Sequence, residues 1–437
     1  MSTPSPQWLK EAEDQLIRYC VEFSPFLVDK AKGSYIYDKE GNAILDFTSG
    51  QMCAVFGHSH PRIVEAIEQA TKGSMHLLSS MLTPEVINLA KALVNLLPEG
   101  LDRCIFVNTG SESNEVALRM AKLHTEGFEI IGFAGSWHGM TAGAQSYTYS
   151  KTRKGYGPTM PGSYMIPAPY SYRCPIDHCK GSCDHSCLEV GMNLVDQQSV
   201  GAYAALIVEP ILSAAGIIEI DTDYMNRLKQ MCEERGLKLI FDEAQTSFGR
   251  LGYNFAFEEY DVQPDFLTLS KTMGGGLPLA ATITSKAIEE DCFEKGFIYM
   301  TSHVSDPLCA AVGLATINIL VQQRMAERAK ELGQYLKDQL IVLQQKHECI
   351  GDVRGKGLLL GLEIVKDRES KIPDSDMGSK ISDRCLELGL SMNIVRIKGY
   401  AGVFRIAPPL TITKEEIDLG ISILDQAIED GLAKAKG

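Results

Sequence analysis

Two apolar runs, each too short for a stable helix, constrain this chain more than any other feature. Leu239-Ile240-Phe241 ends in Asp242-Glu243-Ala244-Gln245, and Phe266-Leu267-Thr268-Leu269-Ser270 delivers Lys271 into Thr272-Met273-Gly274-Gly275-Gly276. Both read as buried strands with their charged groups at the carboxyl ends. In an open α/β sheet that edge is where ligands bind, so Asp242 and Lys271 are expected to face one cleft although they lie far apart in sequence.

A lysine at a strand end, backed by glycines that let a ligand approach the main chain, is a candidate Schiff-base former. An aspartate beside it suits the protonated nitrogen of a pyridine ring, and the pair points to pyridoxal phosphate. Taken singly, a surface lysine and a helix-capping aspartate explain the same residues.

The rest of the chain supplies the remaining parts. Short apolar runs near Cys104-Val107, Glu129-Phe133, Ala204-Val208, Leu237-Phe241, Phe266-Leu269 and Ala281-Thr284 alternate with helical segments, which predicts a mostly parallel sheet. After the first run, Asn108-Thr109-Gly110-Ser111-Glu112-Ser113-Asn114 precedes helical spacing from Glu115 to His124. Such a turn offers main-chain N–H groups and a helix dipole to a phosphate, and it equally suits simple capping. Gly135-Ser136-Trp137-His138-Gly139-Met140 places a flat aromatic ring at a second loop of that edge, for stacking on a cofactor or for the core. Glu209 adds a carboxylate to the rim. Gln51, in the polar loop Thr48-Ser49-Gly50-Gln51-Met52, is an uncharged amide able to bind a carboxylate, or an ordinary loop residue.

From about Pro307 the texture changes to a long helical region through Gln345, a strand over Gly355 to Ile364, and two amphipathic helices flanking Met392 to Pro409. The expected organisation is an amino-terminal segment, 1–60, joining a small α/β domain, 307–437, with a large domain over 61–306. Arg405, within Val403-Phe404-Arg405-Ile406, would be costly if unpaired, so it needs a salt bridge or a substrate carboxylate.

Composition limits the partners. The 437 residues carry 42 Lys and Arg against 56 Asp and Glu, a formal charge of -14 with no basic block, which argues against nucleic acid and anionic membrane. The first residues lack a signal peptide's pattern and no apolar run reaches membrane-spanning length, so a cytoplasmic chain is expected. Four of the twelve cysteines, Cys174, Cys179, Cys183 and Cys187, fall with His178 and His185 in one stretch. They could hold structural zinc, although their spacing matches no common paired pattern, or form a loop of reduced thiols.

With these residues assembled, the chain resembles the class III, fold-type I pyridoxal-phosphate aminotransferases nearly end to end, through Asp242-Glu-Ala-Gln-Thr246, Gly249-Arg-Leu-Gly252 and Ser270-Lys271. Within that family it is most similar to the 2,2-dialkylglycine decarboxylases, through Asp46-Phe-Thr-Ser-Gly-Gln-Met52, Ser136-Trp-His-Gly-Met-Thr141, Thr301-Ser-His-Val-Ser-Asp-Pro307, Leu390-Ser-Met-Asn-Ile394 and Gly402-Val-Phe-Arg-Ile-Ala-Pro-Pro-Leu410. The resemblance implies a large domain with a mostly parallel seven-stranded sheet flanked by helices, plus a smaller α/β domain. It implies Lys271 as Schiff base and proton shuttle, Asp242 on the ring nitrogen, Thr109, Gly110 and Ser111 on the phosphate, Trp137 and Ala244 on the ring faces, and Gln245 on the ring hydroxyl. Around the substrate it implies Gln51, Trp137, Met140, Asn393 and Arg405, with Ser302 reaching a neighbouring subunit's phosphate in a homodimer or dimer of dimers. It further implies a potassium or sodium ion on oxygens of Leu77, Ser79, Ser302, Val304 and Asp306.

The activity so implied is decarboxylation of a 2,2-dialkylglycine with amino transfer to a 2-oxo acid. A non-decarboxylating transaminase of an ω-amino acid or amine is the alternative, and a catalytically silent cofactor-binding protein is a third. Ala214-Ala215, where the decarboxylase pattern continues with serine, and Met300, where it has tyrosine, bear on the substrate.

Overall fold

A computed structural model describes residues 6–18, 23–24, 26–150, 154–174, 176, 183–395 and 402–436. Its centre is a seven-stranded sheet in the order Arg103–Val107, Ala280–Thr284, Phe266–Leu269, Lys238–Asp242, Tyr203–Val208, Glu129–Phe133 and Ser163–Ile166. Ala280–Thr284 runs antiparallel to both neighbours, and every other pairing is parallel. Ile207, Ile240, Leu267 and their neighbours are fully buried, because helices cover both faces of such a sheet. The edge strand Ser163–Ile166 escapes the apolar-run reading because it is short and its outer residues are half-exposed or exposed.

Asp242 lies opposite Thr268 in the parallel register, so Lys271 emerges three residues further along the neighbouring strand, at the same edge of the sheet. The helix Gly110–Thr125 starts at Gly110, earlier than the spacing predicts, and follows Arg103–Val107 onto that edge.

The carboxyl-terminal sheet is antiparallel, in the order Ile350–Lys356, Leu359–Ile364, Val403–Ile406, Asn393–Val395. The single strand expected over Gly355 to Ile364 is therefore corrected to a hairpin. Gly357 turns the chain at φ +52, and a Cβ there would meet the carbonyl oxygen of Arg250 at 2.4 Å, so only glycine fits the bend. Another sheet joins Lys30–Lys32, Tyr35–Tyr37 and Ala43–Asp46 to Leu390–Ser391, bringing the start of the chain beside its end. The long helical region after Pro307 is two helices, Pro307–Gln322 and Met325–Lys346, broken at Arg324 in a left-handed conformation. The first packs on Pro61–Ala70 and Pro84–Val94. Among the described residues no single helix is long and apolar enough to cross a membrane.

Candidate active site

Lys271 begins a short 3-10 turn, Lys271–Gly274, with its own φ at +34, a strained conformation for a residue with a side chain. Burial pushes its amine below the ordinary lysine range, opposed by the charges of Asp242, Cys53 and Glu209 and reinforced by Arg405. Residues from four separate parts of the chain thus act on one amine. A partly neutral amine in a cleft is what a nucleophile or proton carrier requires.

Asp242 is fixed from several directions. Its Oδ2 accepts from Asn114 Nδ2 at 2.8 Å and faces His138 Nδ1 at 2.9 Å, while its Oδ1 accepts from the main-chain N–H of Ala244 at 3.1 Å. An ionised Asp242 places the imidazole proton on Nδ1 and leaves His138 Nε2 buried without a partner. Asn114 is itself held by Thr268, whose hydroxyl donates to Asn114 Oδ1 at 2.7 Å.

At the amino end of the helix Gly110–Thr125, Thr109 closes a capping box with Glu112. The capping and phosphate readings are compatible, because the box leaves the first-turn N–H groups of Gly110 and Ser111 without intrahelical acceptors. The turn is also a cradle that side chains would fill. A Cβ at Gly110 would lie 2.8 Å from Ser270 Oγ, which is itself buried and unpartnered, and one at Gly139 would overlap Ser111 Oγ at 2.0 Å. Ser111 Oγ in turn accepts from the main-chain N–H of Met140 at 3.0 Å.

The rim has a second acid. Glu209 is buried and takes N–H donors from Trp137 at 2.8 Å and Ser213 at 3.3 Å. Burial, with Asp242 adding repulsion and His138 opposing, pushes its carboxyl up to about 7. Trp137 itself is half-buried, leaving a ring face available. Gln245 is buried and accepts from Ser213 Oγ at 2.8 Å.

Arg405 gives Nε and Nη2 to Asn393 Oδ1 at 3.3 and 3.0 Å. Burial pulls its guanidinium down, with Glu209 as the opposing charge, and its remaining N–H groups suit a carboxylate. The Thr48 to Cys53 turn is wound tightly. Ser49, Gly50 and Met52 all have positive φ, and the segment packs against the Lys271–Gly274 turn. Asp46 stabilises the turn by accepting from Thr48 N at 2.8 Å, Gly50 N at 2.7 Å and His58 Nε2 at 2.8 Å. Fully buried Arg250 braces it from below, donating to Ser49 Oγ at 3.3 Å, to Leu358 O at 3.1 Å and to Pro408 O. Gln51 is exposed at the apex of this turn.

The donor set fits pyridoxal phosphate: a dipolar cradle for the phosphate, a fixed carboxylate for a protonated ring nitrogen, and a desolvated amine for the aldehyde. The structure brings together Lys271, Asp242, Trp137, Thr109, Gly110, Ser111, Ala244, Gln245, Asn393 and Arg405. Met140 is exposed beside the cradle, and Ser302 is exposed at the molecular surface. Asp306 has its two carboxylate oxygens on His76 Nδ1 at 2.7 Å and His303 Nδ1 at 2.6 Å, near Leu77, Ser79, Ser302 and Val304 in the chain. Sequence reasoning missed His138, Asn114, Cys53 and the Asp46–Arg250 brace. His138 and Asn114 stood inside motifs already singled out, but only the fold shows that both serve Asp242.

The chain is similar to known proteins along nearly its whole length. The model of the family Aminotransferase class-III matches residues 19–428. An uncharacterized aminotransferase of Schizosaccharomyces pombe is 49% identical over 419 residues, covering 96% of this chain and 94% of the relative. A Bacillus anthracis aminotransferase of known structure superposes with a TM-score of 0.91 at 30% identity, covering 97% of this chain and 98% of that one. An amine transaminase from an uncultivated Pseudomonas species, solved with pyridoxal phosphate bound, superposes with a TM-score of 0.86 at 26% identity, covering 94% and 95% of the two chains.

Proposed function

Since the chain belongs to the class-III aminotransferase family, we propose that it catalyses decarboxylating transamination. A 2,2-dialkylglycine such as 2-aminoisobutyrate would lose carbon dioxide and leave as a ketone, and its amino group would pass to a 2-oxo acid such as pyruvate. The homodimer reading accompanies it, supported by exposed Met75, Leu78, Met81, Leu82, Ile298 and Met300 in the neighbourhood of Ser302.

Pyridoxal phosphate, when bound, supplies an electron sink that weakens whichever bond at the substrate's α-carbon stands perpendicular to its ring. The residues of this chain choose the bond. Arg405, steadied by Asn393, grips a carboxylate that is to be retained, because a guanidinium stabilises that charge throughout. Gln51 suits a carboxylate that is to leave. An uncharged amide orients it without the strong ionic stabilisation that would oppose its conversion to neutral carbon dioxide. Asp242 keeps its charge directed at the ring-nitrogen position through Asn114, His138 and Ala244. Lys271 Nζ, made less basic by burial, takes and returns the proton at carbon.

The braced Thr48 to Cys53 turn carries this reading, since Asp46 and Arg250 spend buried charge on holding an exposed neutral glutamine. The test is to mix purified protein with 2-aminoisobutyrate and pyruvate and to measure acetone, carbon dioxide and alanine. Equal yields of the three are expected, with carbon dioxide release in Gln51→Ala reduced by roughly tenfold to a hundredfold. Amino transfer with no carbon dioxide release would defeat the assignment.

A second reading, a non-decarboxylating transaminase of an ω-amino acid or amine, is favoured by Ala214 and Ala215 after Ser213 and by the similarity to an amine transaminase. The carbon dioxide assay separates the two readings.

A further inference from the structure

One face of the carboxyl-terminal sheet carries a row of four residues. Strand register sets Arg354 opposite Gly361, Gly361 opposite Arg405 and Arg405 opposite Asn393, so these positions share that face. Two arginines are thus separated by a residue with no side chain. The turn Ser213 to Ile217 fills the space at Gly361, where a Cβ would lie 3.0 Å from Ile217 Cβ and 3.3 Å from Gly216 O.

The turn is held from two sides. Its own main chain closes it, with Gly216 N and Ile217 N donating to Ser213 O at 3.0 and 3.3 Å. Arg354 holds the other side, with Nε donating to Gly216 O at 2.9 Å and Ile217 O at 3.1 Å, and Nη2 donating to Gly216 O at 2.6 Å. Ile217 has φ +60, a conformation that a β-branched residue adopts only under constraint. One planar guanidinium on two successive carbonyls supplies that constraint.

The charge of Arg354 is met elsewhere. Its Nη1 donates to Asp352 at 2.7 Å and to Glu363 at 2.6 Å, and its guanidinium carbon lies 5.0 Å from the Tyr170 ring centre. Glu363, fully buried, also accepts from Tyr170 Oη and pairs with Arg173. Tyr170 and Arg173 belong to the excursion between the strand Ser163–Ile166 and the helix Ser186–Gln198, whose His178 and Cys179 lie outside the described residues. The carboxylates therefore account for Nη1, while Nε and Nη2 serve the turn.

From the turn, hydrogen bonds run on to the Lys271 cleft. Ser213 N donates to Glu209 and Ser213 Oγ to Gln245. The charge of Glu209 acts on both Lys271 and Arg405. Gly216 also borders the strand that carries Arg405, since a Cβ at Gly216 would lie 2.9 Å from Val403 Cγ2.

We propose that Arg354 is a positioning residue for the substrate: by holding the carbonyls of Gly216 and Ile217 it keeps the Ser213 to Ile217 turn seated at Gly361, and so leaves Arg405 free to take a carboxylate. Released, those carbonyls would be acceptors on the face that carries Arg405, in competition with the anion it binds. The inference rests on the reading of Arg405 as the carboxylate grip, and it holds whether or not carbon dioxide is released.

Propionate, which has the carboxylate of pyruvate without its keto group, tests this in cofactor-loaded protein by titration against the cofactor absorbance. Arg354→Lys keeps a charge beside Glu363 and Asp352, but one ammonium cannot serve those carboxylates and both carbonyls. Its dissociation constant for propionate should rise about tenfold, and hydrogen exchange at Gly216 and Ile217 should quicken. Arg173→Ala, which disturbs Glu363 without touching the turn, should change neither, a difference that a merely structural role would not produce. Should Arg354→Lys fail to fold, Gly361→Ala takes its place, because the added methyl presses on the turn and alters no charge. It too should weaken propionate binding. Wild-type affinity in folded Arg354→Lys, or in Gly361→Ala where that variant stands in, would overturn the proposal, and so would equal weakening in Arg173→Ala. Propionate bound alike by wild type and Arg405→Ala would overturn it by another route, by removing the Arg405 reading on which it rests.

Discussion

The carboxyl edge of the large sheet and the excursion between Ile166 and Ser186 both gather reactive side chains, and they do so by opposite means. At the sheet edge the residues are remote in sequence. Asp242 meets Asn114 across 128 positions and His138 across 104, because the strands that precede Asn114 and His138 belong to the same sheet and end at the same edge as Asp242. In the excursion the residues are close in sequence, and the two legs are tied to the rest of the molecule by Tyr170, Cys187 and Leu188 in the core and by the contacts of Tyr170 and Arg173 with Glu363. One region is preorganised by the sheet itself, and the other by a buried ion-pair cluster between the excursion and the carboxyl-terminal sheet.

That contrast predicts different responses to mutation. Lys271→Ala should give the largest effect on activity, a fall in amino transfer of roughly a thousandfold or more, with the thermal midpoint nearly unchanged because the surrounding strands hold the cleft. Stopped-flow kinetics and calorimetry on the same preparation would show it. A variant that unfolds, or one that keeps wild-type turnover, would break the comparison. The excursion should behave conversely: Arg173→Ala, which removes one partner of the buried Glu363 carboxylate, should lower the thermal midpoint while amino transfer per folded chain is kept.

A smaller effect concerns Glu209. Its carboxyl in the folded chain is pushed up to about 7 by burial, above the ordinary value of 4.5. Between those two values the folded protein binds a proton that the unfolded chain has released, so this group's contribution to stability falls as pH rises through the window. In cofactor-free protein the thermal midpoint should decline less between pH 5 and 7 in Glu209→Gln than in wild type. Parallel profiles for the two proteins would show that Glu209 is ionised throughout, and the cleft would then be more polar than its burial implies.

The same contrast explains what the sequence disclosed. Asp242 and Lys271 were legible because each closes an apolar run, and a charge there has few structural explanations once the runs pair in parallel. The turn at Thr109 to Ser111 was legible by its glycine and hydroxyls before a helix. His138 was not, since a histidine inside a loop motif looks the same whether or not a carboxylate waits on another strand. The hairpin at Gly357 was hidden because Leu358 to Leu362 continue the apolar run through the bend, and the reason for that bend, the nearby Arg250 carbonyl, lies over a hundred residues earlier. Arg250 itself gave no signal of burial, because two of its three acceptors are main-chain carbonyls, of Leu358 and Pro408, which any sequence would provide.

The central claim is that the amine of Lys271 and the carboxylate of Asp242 serve one pyridoxal phosphate. Reducing the cofactor-loaded protein with borohydride and mapping the modified peptide by mass spectrometry tests it most directly. A single pyridoxyl group on Lys271 is the predicted result. A label on any other lysine, or none on protein that binds the cofactor, would contradict the account.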